Sequence, residues 1–187
     1  RITNSMNQTS KRYGDLCRRR QNFLQRAWDA SELTIPFILP RHGTQDQELP
    51  TPYQSIGARG VNNLSAKLLL TLFPPNSPFF KFQIDDFTLA ELEAQRAPVE
   101  EGLNAMERSV MDEVEAKAMR VPLNEALRHL IITGNACLHV DKDNAVRVFH
   151  LDQFVVRRDP QGKMLEIIVH EKMSRELYMD IFGTLPP

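Results

Sequence analysis

The chain has 187 residues, 42% hydrophobic and 25% charged, an ordinary balance for one globular domain or one domain with an appendage. Its formal net charge of −1 excludes a globally basic nucleic-acid binder and leaves local charge asymmetry to consider. Two cysteines, Cys17 and Cys137, are too few for a disulfide framework and point to a reducing compartment, and no apolar run approaches the roughly 18 residues of a membrane span.

From about Ser10 to Ala30 the spacing of Tyr13, Leu16, Phe23, Ala27 and Trp28 predicts a helix with one apolar stripe, interrupted by Arg20. Residues 1–30 carry seven bases, Arg1, Lys11, Arg12, Arg18, Arg19, Arg20 and Arg26, against Asp15 and Asp29, a net +5. Such a surface can contact phosphates or face another protein; charge alone does not separate the two. Ser31 to Pro50 reads as irregular, with Ile35 to Pro40 an extended apolar crossing because each proline pushes its predecessor out of the helical region. Arg41-His42-Gly43-Thr44 matches the nucleophile motif of histidine phosphatases, in which an Arg and a His hold and attack phosphate. That chemistry needs a second His and a strand–helix setting, whereas a polar loop comes next here, so a loop histidine is the simpler reading.

Thr51 to Phe73 is the stretch around which the chain is expected to be organised, as a buried central helix. Thr51 and Gln54 have the spacing of a capping box, Pro52 suits the first helical turn, and Pro74-Pro75 forces a stop. Val61, Leu64, Leu68, Leu69 and Leu72 fall on one broad face. Gly57, Ala58 and Gly60 leave the first turns almost bare, at about 1 kcal/mol for each glycine relative to alanine, which suggests a close backbone approach at Gly57 and Gly60.

Beyond the prolines, Phe79 to Ile84 alternates well enough for a short strand, and Thr88 with Glu91 reads as a capping box opening a helix that continues past Pro98. Val99, Leu103, Met106, Val110 and Val114 should make its packing face. Residues 85–118 hold ten acids, including Glu100, Glu101 and Glu107, against Arg96, Arg108 and Lys117, a net −7 opposite in sign to the first helix. Pro122 is expected to start another helix, facing in through Leu123, Ala126, Leu127, Leu130 and Ile131 and ending at Gly134. From Ala136 the period changes to two, and four short strands up to Lys172, with Asp159-Pro160-Gln161-Gly162 as a turn, predict an antiparallel meander. Ser174 should cap a last helix through Phe182. The fold class is therefore α+β, with residues 1–135 mainly helical and 136–187 a meander plus a short helix. His129, His139, His150 and His170 lack metal-ligand spacing, and no phosphate-binding loop, nucleotide fingerprint or nucleophile elbow occurs, so no cofactor or metal is implied.

The run Thr51-Pro52-Tyr53-Gln54-Ser55-Ile56-Gly57-Ala58-Arg59-Gly60-Val61-Asn62-Asn63-Leu64, continued by Lys67 to Pro74, resembles the head–tail connector (portal) proteins of T7-like short-tailed phages. The likeness extends through Thr34-Ile35-Pro36 and Pro40, then Glu101-Gly102-Leu103, Met106-Glu107-Arg108, Glu125-Ala126-Leu127, Thr133-Gly134-Asn135 and Val155-Val156-Arg157-Arg158-Asp159. The resemblance implies a non-enzymatic ring, usually of twelve subunits, at one capsid vertex of the virion and assembled in the host cytoplasm. Its implied partners are other copies of itself, the major capsid protein, the tail adaptor, the internal core proteins, the packaging terminase and double-stranded DNA, with no membrane. An opening on Arg1 and a close on Leu185-Pro186-Pro187 read as the edges of a fragment, here the N-terminal part of the portal wing, with stem, clip and crown expected elsewhere. Lys11, Arg12, Arg18, Arg19, Arg20 and Arg26, with Glu100, Glu101 and Glu107, are candidates to face a neighbouring subunit or DNA. Gly57, Ala58, Gly60, Leu64 and Leu68 are candidates for close helix packing. Two other readings stay open: a nucleic-acid-binding module using the basic helix, and a phosphatase using Arg41-His42-Gly43.

Overall fold

The basic N-terminal segment folds as two helices, α1 (Ile2–Arg19) and α2 (Gln21–Leu33), and not as the single helix expected. The computed structural model describes residues 2–41, 49–75, 77–84, 96–142 and 145–183. At Arg20 the backbone has ψ −1°, against about −42° in a regular helix, and this resets the phase of α2 relative to α1. Leu24, Ala27, Trp28 and Ser31 consequently turn inward, while Phe23, expected in the stripe, is 65% exposed. Thr34 ends α2, its hydroxyl donating to the Ala30 carbonyl at 2.6 Å.

The crossing after α2 is pinched and not extended throughout. Ile35 and Leu39 are extended, but Pro36–Ile38 form a 3-10 turn. Ser31, fully buried, explains it: its hydroxyl donates to the Ile35 carbonyl at 3.0 Å and accepts from the Leu39 N–H at 3.2 Å, drawing the two ends together. Ile35, Ile38 and Leu39 are buried by this turn.

The central helix, α3, runs Ile56–Leu72. It starts five residues after Thr51, and Ser55 at its head makes no side-chain cap, so the expected Thr51–Gln54 box does not form. What locates the start is the contact of Gly57 with the end of α2. Phe73 leaves the helical region with φ −129° and ψ 65°, as the prolines after it require. Within the chain only Val61 and Ser65 of α3 are buried; Leu64 is 46% and Leu72 50% exposed, so the helix is covered on one side only.

Residues 79–84 form no strand. Phe73, Phe79, Phe80 and Phe82 instead make a chain of edge-to-face ring contacts at 5.0, 5.2 and 5.4 Å, and the Phe82 N–H donates to Glu107 Oε1 at 2.8 Å where a strand partner would have accepted. The Thr88–Glu91 box lies outside the described residues. Helix α4 spans Arg96–Ala116, with Pro98 in its first turn, where a missing N–H costs nothing. No described residue of α4 is buried, and Met106 and Val110 of its expected packing face are 60% and 41% exposed.

Helix α5 (Arg120–Thr133) begins two residues before Pro122 and ends, as expected, with Gly134 in the left-handed region at φ 73°. Arg120 donates to the carbonyls of Phe73 and Pro74 at 3.3 and 3.0 Å, placing a cation at the C-terminal end of α3. The buried residues of α5 are Ala126, Leu127, His129 and Ile132, whereas Leu130 is 46% exposed. The expected face was too narrow because α5 packs against α2, α3 and a strand at once.

The β region is two separate antiparallel hairpins and not one meander. β1 (Cys137–Val140) pairs with β2 (Val146–Phe149), and β3 (Phe154–Arg158) with β4 (Met164–Val169). A 3-10 turn, Leu151–Gln153, separates the hairpins and prevents β2 from pairing onward with β3. The second hairpin closes through the predicted turn, the Gly162 N–H donating to the Asp159 carbonyl at 3.0 Å. Ser174 caps α6 (Arg175–Phe182), its hydroxyl accepting from the Leu177 N–H at 3.2 Å. The whole is an α+β fold with two apolar cores on either side of α2. One gathers Leu24, Ala27, Trp28, Leu39, Phe149, Leu151 and Phe154, the other Ile35, Ile38, Val61 and Ile132.

His129 of α5 is 1% exposed, with its ring 4.9 Å from that of His150, edge to face. Burial, reinforced by His150, lowers the His129 pKa to about 4 from 6.5. Between those values the unfolded chain binds the extra proton and the folded one does not. Stability is therefore complete above pH 6.5 and is lost as pH falls toward 4, by about 3 kcal/mol in the acid limit. Thermal unfolding near neutral pH and near pH 4 checks this, and His129→Gln should flatten the dependence across that window.

Candidate subunit interface

The six candidate bases of the N-terminal helices have different fates. Arg20 is not available to an outside partner: its guanidinium donates to the main-chain carbonyls of Leu151 and Phe154, and to that of Asp152 at 2.9 Å. It fastens the junction of α1 and α2 to the strand-linking turn. An arginine does this well because one planar fork serves several carbonyls at once. Tyr13 adds to the same seam, its hydroxyl donating to the Asp152 carbonyl at 3.1 Å. Desolvation, first, raises the Tyr13 pKa to about 12, so it remains a donor. Arg12 lies 3.0 Å from Glu166 of β4, which also meets Arg157 at 3.5 Å. Arg18 pairs with Asp15 one turn back. Lys11, Arg19 and Arg26 are exposed, Arg26 with its guanidinium 5.5 Å from the centre of the Phe23 ring. The signal for Arg20 was present in the sequence as a lone base breaking an apolar stripe, which marks an anchored base at least as well as a free one.

The acidic candidates lie on α4. Glu100 and Glu101 are exposed, and Glu107 is half-buried where it accepts from Phe82. Beside Glu107, a cavity of about 550 Å³ opens between Ser77, Pro78, Asn104, Arg108, Asp112 and Glu115. Its lining sets three carboxylates, Glu107, Asp112 and Glu115, against one base, Arg108, which suits no anionic ligand.

Of the bare positions in α3, Gly57 carries the close approach. A Cβ there would stand 2.7 Å from the Leu33 carbonyl oxygen and 3.0 Å from Thr34 Cγ2. At Gly60 the expectation is corrected: an added Cβ meets nothing within 4 Å, because that side of α3 faces open space. Ala58 packs at the edge of the core holding Val61, Leu68 is half-buried, and Leu64 is exposed.

In the phosphatase-like motif, Arg41 pairs with Glu32 and lies 2.7 Å from Asp29, with its guanidinium 5.9 Å from the centre of the Trp28 ring. Those carboxylates occupy the fork that phosphate would need and raise its pKa further. His42 and Gly43 lie outside the described residues. Among the described residues no group of His, Cys, Asp or Glu is placed to hold a metal ion, and no helix is long and apolar enough to cross a membrane.

A chain with charge-segregated helices, exposed apolar helix faces and arginines anchored on main-chain carbonyls is built as a packing unit. The chain belongs to the bacteriophage head to tail connecting protein family, whose sequence profile matches residues 6–186. It is similar to the portal protein of Enterobacteria phage T3, at 34% identity over 93% of this chain and 32% of that protein. It is also similar to the portal protein of Escherichia phage T7, at 32% identity over 86% of this chain and 30% of that one, and to that of Pseudomonas phage phiKMV, at 32% over 79% and 30%. The chain thus spans about a third of the length of the relatives it matches.

Proposed function

We propose that the chain is part of a structural subunit of a phage portal, the connector between head and tail. Copies assemble into a closed ring, of twelve subunits, at one vertex of the capsid. Double-stranded DNA enters through the ring during packaging, driven by a terminase, and leaves through it on ejection. The ring also holds the tail adaptor, the internal core proteins and the surrounding major capsid protein, and it forms in the host cytoplasm before becoming part of the virion. The observation that carries this reading is the match of a connector family over residues 6–186, nearly the whole chain. The anchoring of Arg12, Arg18 and Arg20 within the chain and the occupation of Arg41 by Glu32 and Asp29 favour a packing role over a phosphate-binding one. The subunit carries out no chemistry of its own on this reading. Gold-labelled antibody against residues 8–33 tests it on detergent-opened virions: label should gather at the single head–tail junction, and label spread over the capsid surface or absent from particles would contradict it.

A further inference from the structure

One apolar side of the β3–β4 hairpin is covered for only half its width. Phe154 of β3 is buried in the core with Leu24 and Trp28, and Val156 packs against the same core. Their partners across the hairpin, Val169 and Ile167, lie on the same side but are 38% and 43% exposed. The core therefore stops in the middle of the hairpin. Leu177 and Ile181, one turn apart on α6, are exposed as well, so bare apolar surface continues beyond β4. β4 also has a free edge, since its one neighbour among the described residues is β3. The His170 N–H donates to the Gln153 carbonyl at 2.7 Å, and antiparallel alternation then turns the N–H groups of Ile167 and Val169 toward that edge. Edges that stay open are guarded by lysine, proline or charge. Between Met164 and Val169 the one charged residue is Glu166, which is turned to the opposite side, toward Arg12 and Arg157.

We propose that a segment of the full-length subunit beyond Pro187 adds a strand to the free edge of β4 and completes the core there. It rests on the reading of the chain as part of a longer connector subunit. The relatives are about three times as long as this chain, and its expected N-terminal place puts the remainder after Pro187. The bare half of the hairpin continues an apolar core and carries no charge of its own, which suits a segment folded within the same subunit. Pairing with the same edge of a second copy would instead make a two-fold dimer, using up the edge without propagating into a ring. In the added strand, main-chain bonds to Ile167 and Val169 supply the attachment, and every second side chain covers their apolar side chains.

Hydrogen exchange and crosslinking of the full-length protein test this. In the unassembled subunit the Ile167 and Val169 amides should exchange about a hundredfold slower than in an unstructured chain, at a rate independent of protein concentration. A benzophenone amino acid at position 165, exposed near the start of β4, should crosslink to residues beyond 187 of the same copy when light and heavy isotope-labelled copies are mixed. Unprotected amides, protection that appears only on assembly, crosslinks between differently labelled copies, or crosslinks confined to residues 1–187 would each overturn the proposal. The exchange measurement needs no rings, so a full-length protein that makes none would overturn the ring reading alone.

Discussion

Arg20→Met is expected to loosen the second hairpin from the N-terminal helices more than any other single change in the chain. The substitution keeps the aliphatic stem but strips the donors from the carbonyls of Leu151, Asp152 and Phe154. Hydrogen bonds from a charged donor contribute about 1.5–3 kcal/mol each, and because one side chain serves all three they do not add in full. The expected loss is about 3 kcal/mol, which is a roughly 100-fold faster amide exchange through β3 if that hairpin opens as a unit. Arg20→Lys should recover only part of it, since an ammonium cannot reproduce the fork. Arg19→Met, at the exposed neighbouring position, should change stability by less than about 0.5 kcal/mol.

Gly57→Leu is expected to have the second largest effect. Even Gly57→Ala places a carbon 2.7 Å from the backbone oxygen of Leu33, an atom that cannot move aside without shifting the end of α2. Overpacking of this kind costs about 1–3 kcal/mol, and leucine sits at or beyond the upper end. At about 2–4 °C per kcal/mol for a domain of this size, a lowering of the melting temperature by roughly 5–10 °C is expected. Gly60→Ala provides the contrast. Its added methyl meets open space, so removing a helix-interior glycine should stabilise by about 0.5–1 kcal/mol.

How far the sequence revealed this architecture depended on the range of the interaction involved. Ends of elements governed by local chemistry were legible: Pro74-Pro75 stopping α3, Gly134 and Ser174 capping helices, and Asp159 to Gly162 closing a hairpin. Faces were not legible where they depended on distant partners. Nothing local to Phe23 reveals that Arg20 will reach carbonyls more than 130 residues away and reset the helix phase between them. Thr51 and Gln54 have the capping pattern, but the contact of Gly57 with Leu33 and Thr34 overrode it. The alternation of Phe79 to Ile84 was real, yet with no strand paired to it among the described residues the phenylalanines packed on one another. Among the candidate interface residues, opposite charge on separate helices could be read directly. Which bases were already engaged could not, because Arg12 finds its partner on β4 and Arg20 on the turn between the hairpins, over 130 residues along the chain.

The central claim is that this chain works as one of many identical neighbours around a closed ring. Electron microscopy of the full-length protein, purified at low salt without capsid or terminase, tests it most directly. The account predicts closed rings of one size, with twelvefold symmetry in end-on class averages. A monodisperse monomer, or open filaments that never close, would contradict it.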